Sequence, residues 1–312
     1  MPDDESEGPL GQKVDAPDVY SPDVLFAIQR AKGRSLLGID AGAPPPFDGE
    51  DIWNAYELSW LSASGVPKRA ALELRIPCTT PNIVESKSLK LYLNSLSFMR
   101  FDDTEGLLAT IRKDVSSKVG CAPADLSATV RVFGATMAPE DPALDASAWH
   151  CIDDEPVGEL PPEHLAVPDE AHLCFDAAGD AKRAVVSERL VSHVLRTLCP
   201  VTGQPDWGSV LIEYTGRKLS RGGVLRYLAS LRREVGFHEN AVERITLALR
   251  RRCAPRALRV TGRFLRRGGI DINPVRVVAA PTPTAPADAA AETDKVPALQ
   301  ATGLPQQRVP GQ

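Results

Sequence analysis

The sequence contains no apolar run near the roughly 20 residues needed to span a bilayer, no CxxC pair, and no G-x-G-x-x-G turn. The first absence argues against a transmembrane helix. The second, with six cysteines scattered at 78, 121, 151, 174, 199 and 253, argues against a disulfide scaffold or a zinc ribbon and makes reduced thiols the expectation. The third means that any dinucleotide is held by something other than a Rossmann turn. His150 beside Cys151, and His172 near Cys174, lack a partner pair at zinc-site spacing, so no metal is expected. The acidic start (Met1, Asp3, Asp4, Glu5) has neither the basic nor the apolar region of a signal peptide, and the expected compartment is the cytoplasm. With 36 basic and 41 acidic residues the net charge is -5, which provides no global field to gather nucleic acid or an anionic membrane. Any anion site must be local.

What is present is enough apolar material, 43% of 312 residues, for one large domain or two ordinary ones. Residues 1–50 are rich in Pro, Gly and Asp and read as an irregular arm with one short helix near 24–32. From 277 to 312 the chain is Pro, Ala, Thr and Gln, too poor in large apolar groups to offset ordering entropy, so a disordered tail is expected. Between these ends one succession of elements occurs twice. Leu72, Leu74 and Ile76 alternate with Glu73 and Arg75 as in a half-buried strand. A loop and the segment 89–96 follow. Asp102 and Glu105 then form a capping-box pattern before a helix carrying Leu107, Leu108, Ile111 and Val115, and a strand at 128–133 closes the unit. The second pass has a strand at 210–214, the segment 225–231, a helix opened by Asn240 with Glu243, and a strand at 258–264.

The repeat extends to single residues. Tyr92, Leu93, Ser95 and Leu96 recur as Tyr227, Leu228, Ser230 and Leu231 at an offset of 135, and Phe101 matches Phe237 after a one-residue slip. The expectation is therefore an α+β protein of two homologous modules, 51–158 and 159–276, each an antiparallel sheet backed by helices.

Three stretches carry chemistry. Cys199-Pro200-Val201-Thr202-Gly203-Gln204-Pro205-Asp206-Trp207 joins a run at 191–198, read as helical, to the strand at 210. Its prolines and glycine make a rigid turn that can present a thiol, with Asp206 able to fold back toward it; a buried structural cysteine is the alternative. In Glu85-Ser86-Lys87-Ser88-Leu89-Lys90, two lysines three apart with a carboxylate and hydroxyls suit a phosphate-bearing ligand beside a polar heterocycle, or simply a solvated face. In Phe237-His238-Glu239-Asn240 a carboxylate can accept from the N–H edge of a guanine-like ring, or serve the helix start. The basic run 250–267 alternates Arg259, Thr261 and Arg263 with Leu258, Val260 and Phe264, one face of a strand rather than a nucleic-acid surface.

Taken together, the stretch from Glu85 to Ser95 and the stretch from Cys199 to Trp207 resemble the two-module form of the queuosine-pathway nitrile reductases, the QueF family. Tyr56-Glu57-Leu58-Ser59-Trp60-Leu61, Phe237-His238-Glu239-Asn240 and Arg266-Arg267-Gly268-Gly269-Ile270-Asp271-Ile272-Asn273-Pro274 match as well, so the likeness runs from Asp18 to Pro274. Only the tail and a longer middle insert at 139–158 depart from it.

The resemblance implies tandem tunnelling-fold (T-fold) modules that bind purine or pterin rings between them, in a homodimer. It implies NADPH-dependent reduction of the nitrile of 7-cyano-7-deazaguanine to 7-aminomethyl-7-deazaguanine through a cysteine thioimide. By position, Cys199 is the nucleophile and Asp206 the proton donor. Val84, Glu85, Ser86, His238 and Glu239 bind the substrate, and Ser86, Lys87, Arg267 and Gly268 contact NADPH. The substrate is the free base, with no tRNA bound. A cysteine-dependent amidohydrolase, which needs a base although the nearest histidine in sequence, His193, reads as structural, and a non-catalytic purine-binding module are the rival readings. Glu85-Ser86-Lys87 align with Ser220-Arg221-Gly222, and Phe237-His238 with Phe101-Asp102, so each half keeps motifs that its sister lacks. One working site drawn from both halves is the expectation.

Overall fold

The computed structural model describes residues 16–132, 148–176 and 185–279. The expected tail from 280 onward, Phe133 and the insert up to 147 lie outside the described residues. A 3-10 turn (Pro22–Val24) precedes β1 (Ala27–Gln29) and α1 (Arg30–Ser35). Then come β2 (Asp48–Ser62), β3 (Pro67–Pro77), β4 (Asn82–Val84), α2 (Ser86–Ser95), β5 (Arg100–Phe101), α3 (Thr104–Val119) and β6 (Ser127–Val132). The second half has β7 (His150–Cys151), β8 (Val185–Leu198), β9 (Pro205–Arg217), α4 (Arg221–Ser230), α5 (His238–Cys253), β10 (Ala257–Phe264) and β11 (Ile270–Val278).

Nine strands form one sheet in the order β6-β3-β2-β11-β10-β9-β8-β7, with β5 beside β2. All pairings are antiparallel except β5 with β2 and β7 with β8. The halves meet where β11 pairs with β2, in register from Ile270 opposite Ala55 to Val277 opposite Asp48. Each half has its own apolar core under its helices. Trp53, Leu72, Leu74, Tyr92, Ile111 and Val115 build the first, and Leu190, Leu195, Tyr227, Val242, Ile245 and Leu258 the second. Ile152 and Val157 pack with the second core rather than the first, and β7 pairs with β8.

Several expectations are corrected. The run 191–198 is not a helix but the end of β8. A bulge between Ser192 and Leu195 breaks the two-residue alternation, so Val191, Val194, Leu195 and Leu198 fall at helix-like spacing in an extended chain. The helix placed at 24–32 is replaced by turn, strand and helix, because Ala27–Gln29 pairs with β4 and the helix begins only at Arg30. Asp103, not Asp102, caps α3, its carboxylate accepting from Gly106 N at 2.8 Å. Helix α5 begins at His238, two residues before Asn240. Val277 and Val278 belong to β11, not to the tail.

Candidate active site

The segment carrying Cys199 connects β8 to β9, and its shape is dictated locally. Cys199 N donates to Gln204 O at 2.9 Å and Gly203 N to Cys199 O at 3.0 Å, closing a turn whose φ of 65° at Gly203 suits glycine. Leu198 N donates to Glu234 O at 2.8 Å and accepts, through its carbonyl, from Gly236 N at 3.0 Å. These two bonds pin the turn to the residues just before α5, and so bring His238 and Glu239 to the thiol. A second turn, between β10 and β11, closes by reciprocal bonds between Arg267 and Ile270, with φ of 56° at Gly268 and 80° at Gly269. A Cβ at Gly269 would lie 2.6 Å from Glu57 Cδ, but that carboxylate is the end of an exposed side chain that can move, so it is the φ of 80° that calls for glycine here.

These turns and the first residues of α2 and α5 enclose a cavity of about 300 Å³. Ser86, Lys87 and Lys90 line it from the first half; Cys199, Gln204, Asp206, Phe237, His238, Glu239, Leu265, Arg267, Gly268, Ile270 and Ile272 line it from the second. A further recess of about 150 Å³ shares Lys90, Gly268 and Ile270 with it. Two helix N-termini and three cations therefore face one partly apolar space, which favours an anionic ligand carrying flat rings.

Asp206 is buried, 5% exposed, and its Oδ1 lies 3.1 Å from Arg267 Nη2 and 3.4 Å from His238 Nε2. Arg267 also donates to Pro205 O. The His238 ring stacks on Phe264 with centroids 3.9 Å apart and planes 1° from parallel, and its Nδ1 is buried without a partner. Glu239 is also buried, with one carboxylate oxygen unpartnered. Burial, reinforced by the nearby Asp51 charge, pushes its carboxyl up to about 7. An unpartnered buried acceptor beside an unpartnered ring nitrogen marks a polar edge prepared for a ligand.

The gathering of residues expected from sequence is incomplete. Cys199, Asp206, Ser86, Lys87, His238, Glu239, Arg267 and Gly268 all line the cavity, whereas Val84 and Glu85 do not. Val84 packs in the first core. Glu85 caps α2, accepting from Lys87 N and Ser88 N at 2.7 Å each, and burial raises its carboxyl against the pull of those bonds. His193 sits on the β8 bulge, where its Nδ1 meets Ser209 Oγ at 2.9 Å, and is not a cavity residue. Cys151, Asp153 and His193 bring possible ligand atoms within 4.8 Å of one another. Both Asp153 oxygens there already accept, from Ser192 Oγ at 2.7 Å and His193 N at 2.9 Å, so the group is satisfied as a clasp on the bulge. Phe264 was missed as a ring platform because its alternation reads as ordinary core. Arg259 and Arg263, on the charged face of β10, are buried rather than solvated.

The family described as nitrile reductase, 7-cyano-7-deazaguanine-reductase N-terminal part matches residues 16–126, and that described as QueF-like protein matches residues 205–282. A protein of Azoarcus sp. (strain BH72) named NADPH-dependent 7-cyano-7-deazaguanine reductase is 46% identical over 268 residues, covering 86% of this chain and 89% of that protein. The chain belongs to the 7-cyano-7-deazaguanine reductase family. Proteins of the same name from Desulfotalea psychrophila (43% over 268 residues; 86% of this chain, 91% of that one) and Bordetella avium (42% over 286; 91% and 97%) agree. The crystal structure of the archaeosine synthase QueF-Like in the apo form overlaps 32% of this chain and 97% of its own at 18% identity, with a TM-score of 0.26, too little to speak for the fold. The two family matches flank the cavity from both halves, on the elements that carry Lys87 and Asp206.

Proposed function

We propose that this member of the reductase family reduces the nitrile of 7-cyano-7-deazaguanine to the 7-aminomethyl product with NADPH, and that Cys199 carries the substrate as a thioimide. The observation behind the residue assignment is one cavity holding a thiol, a buried carboxylate paired to a histidine and an arginine, and a second buried carboxylate with an open acceptor. The lining suits the cofactor: Lys87, Lys90 and Arg267 match its phosphates, Leu265, Ile270 and Ile272 form an apolar wall for a flat ring, and the recess sharing Lys90, Gly268 and Ile270 adjoins them. When bound, NADPH supplies the hydrides, two per nitrile.

The chain's own residues do the rest. A nitrile carbon is a weak electrophile, and adding the Cys199 thiolate while protonating the nitrogen turns it into a thioimide. Asp206, presented as a carboxylate to Arg267, takes the thiol proton and delivers it to that nitrogen, so charge never accumulates in the buried site. His238, held flat on Phe264 with Nε2 at Asp206, relays later protons. Glu239 accepts from the N–H edge of the base. Ser86 faces the base from the first half; Val84 and Glu85 stand behind it, and Glu85, as the cap of α2, fixes the turn that presents Ser86 and Lys87.

The repeated order of strands and helices, with one core in each half, supports reading the chain as tandem T-fold modules that share this one site, with the boundary expected at 158 moved before His150, since β7 and Ile152 join the second half. The enzyme acts on the free base in the cytoplasm and works as a homodimer; a salt-sensitive tRNA complex or a monomer by sedimentation would speak against this. Among the described residues no helix is long and apolar enough to cross a membrane. The decisive experiment mixes protein, nitrile and NADPH and follows cofactor oxidation and intact mass. Two NADPH consumed per nitrile, and an adduct without NADPH that Cys199→Ala abolishes, are expected. Release of an acid or amide with no cofactor requirement would overturn the reading.

A further inference from the structure

The N-terminal arm reaches the site from behind. Helix α1 carries Arg30 and Arg34 into a buried ionic network built on β2, α5 and β11. Arg30 Nη2 lies 2.6 Å from Asp51 Oδ2, and Arg276 Nη1 lies 2.8 Å from Asp51 Oδ1. Arg34 Nη2 and Arg276 Nη2 both meet Glu243 Oε1, at 2.7 Å and 2.9 Å. Three guanidinium groups thus face two carboxylates, leaving one positive charge over in a region that excludes water. Burying an uncompensated charge is costly, so a third carboxylate belongs with the set.

Glu239 stands four residues before Glu243 on α5, on the same helix face. A small cavity of about 20 Å³ separates it from the arm, lined by Gln29, Arg30, Phe237, Glu239 and Asn240 among others. That volume holds about one water molecule. Arg30 is 5% exposed, and its Nη1 is buried with no hydrogen-bond partner. The arm is seated closely here, since a Cβ on Gly33 of α1 would lie 2.4 Å from the Asn240 side chain. Glu239 therefore forms a wall between two spaces, with the thiol-bearing cavity on one side and Arg30 on the other.

We infer that Arg30 is a positioning residue for substrate recognition: from the arm it supplies the counter-charge against which Glu239 holds an ionised carboxylate toward the base. The inference rests on the reading of Glu239 as the acceptor for the ring N–H edge. The groups facing Glu239 act in opposite senses. Burial and Asp51 on β2 oppose its ionisation, while His238 on its own helix and Arg30 on α1 favour it, with Lys32 of α1 at the small cavity and Glu243 one turn on. Asp51 is in turn held by Arg30 and Arg276, so Arg30 both offsets the opposing charge and adds its own attraction.

The test uses the full chain carrying Cys199→Ala, which stops the chemistry, and measures the affinity for 7-cyano-7-deazaguanine by calorimetry from pH 6 to 9. Affinity rises with pH through about 7 as Glu239 ionises. Arg30→Met moves that midpoint upward by about one pH unit, the scale of one lost charge partner, which weakens binding about threefold near pH 7.5 and close to tenfold at pH 6. Arg30→Lys, which keeps the charge, restores the midpoint. In Glu239→Gln the pH dependence disappears, and adding Arg30→Met then changes affinity less than about twofold. With Cys199 intact, Arg30→Met raises KM for the nitrile and leaves KM for NADPH unchanged. An unshifted pH profile in Arg30→Met, or an equal loss of affinity in the Glu239→Gln background, would overturn the inference. If Arg30→Met fails to fold, a midpoint in Arg30→Lys displaced by a full pH unit overturns it equally. A parent protein that binds no nitrile at any pH would instead remove the functional reading beneath it.

Discussion

Replacing Asp206 by Asn isolates proton transfer from everything else this side chain does. Asn has nearly the same shape and keeps an oxygen for Arg267, which lies 3.1 Å from Asp206 Oδ1, but it cannot carry a proton from Cys199 to the nitrile nitrogen. The Arg267 side chain is 43% exposed, so water replaces the lost charge partner and the stability change stays below about 1 kcal/mol. The cost falls on the reaction. Loss of a positioned acid–base group slows turnover by ~10²–10⁴, or about 2.7–5.4 kcal/mol of barrier. Two assays separate the steps: steady-state NADPH oxidation, and the rate at which the intact-mass adduct appears without NADPH. Because the transferred proton belongs to the addition step, both rates fall together while the melting temperature is nearly constant. Turnover within about threefold of the parent would remove Asp206 as proton carrier. An adduct that forms at the normal rate while reduction slows would refute the argument more narrowly, by placing Asp206 after addition.

Other outcomes are equally specific. Arg276→Met leaves Asp51 and Glu243 without a shared partner in a fully buried place, and urea unfolding reports a loss of about 3–5 kcal/mol. Phe264→Leu keeps most of the core volume, so stability falls by less than about 1.5 kcal/mol, yet it removes the surface on which His238 stacks, and kcat falls more than the thermal melt suggests. Glu239 holds its proton to about 7 when folded against 4.5 otherwise, so the folded state binds more protons between those values and stability falls as pH rises across that window; in Glu239→Gln this slope flattens, as denaturation curves from pH 4 to 8 would show.

Much of the architecture is legible because its periodicity is clean. Leu72, Leu74 and Ile76 alternate and form β3, and Leu107, Leu108, Ile111 and Val115 repeat at helical spacing and form the buried stripe of α3. The failures have a common cause: a partner distant in the chain overrides a local pattern. Ala27–Gln29 extends because β4 offers it hydrogen bonds, and the end of β8 looks helical because a bulge inserts residues that only β9 can accommodate.

Sequence by itself determined the family, the duplicated order of elements and the motifs around Cys199, since those depend on residue identity and near-neighbour spacing. Tertiary structure alone decided which of those residues share a space. It closed the turn of Cys199 onto the residues before α5, set Arg267 against Asp206, laid His238 flat on Phe264 and kept Glu85 as a helix cap outside the cavity. It also brought Arg30 of the arm across a small cavity from Glu239, more than two hundred positions away, a placement no local pattern encodes. The reason is physical: hydrogen bonds and ion pairs between distant segments are chosen by the packing of the whole sheet, and local sequence supplies only the groups that can make them.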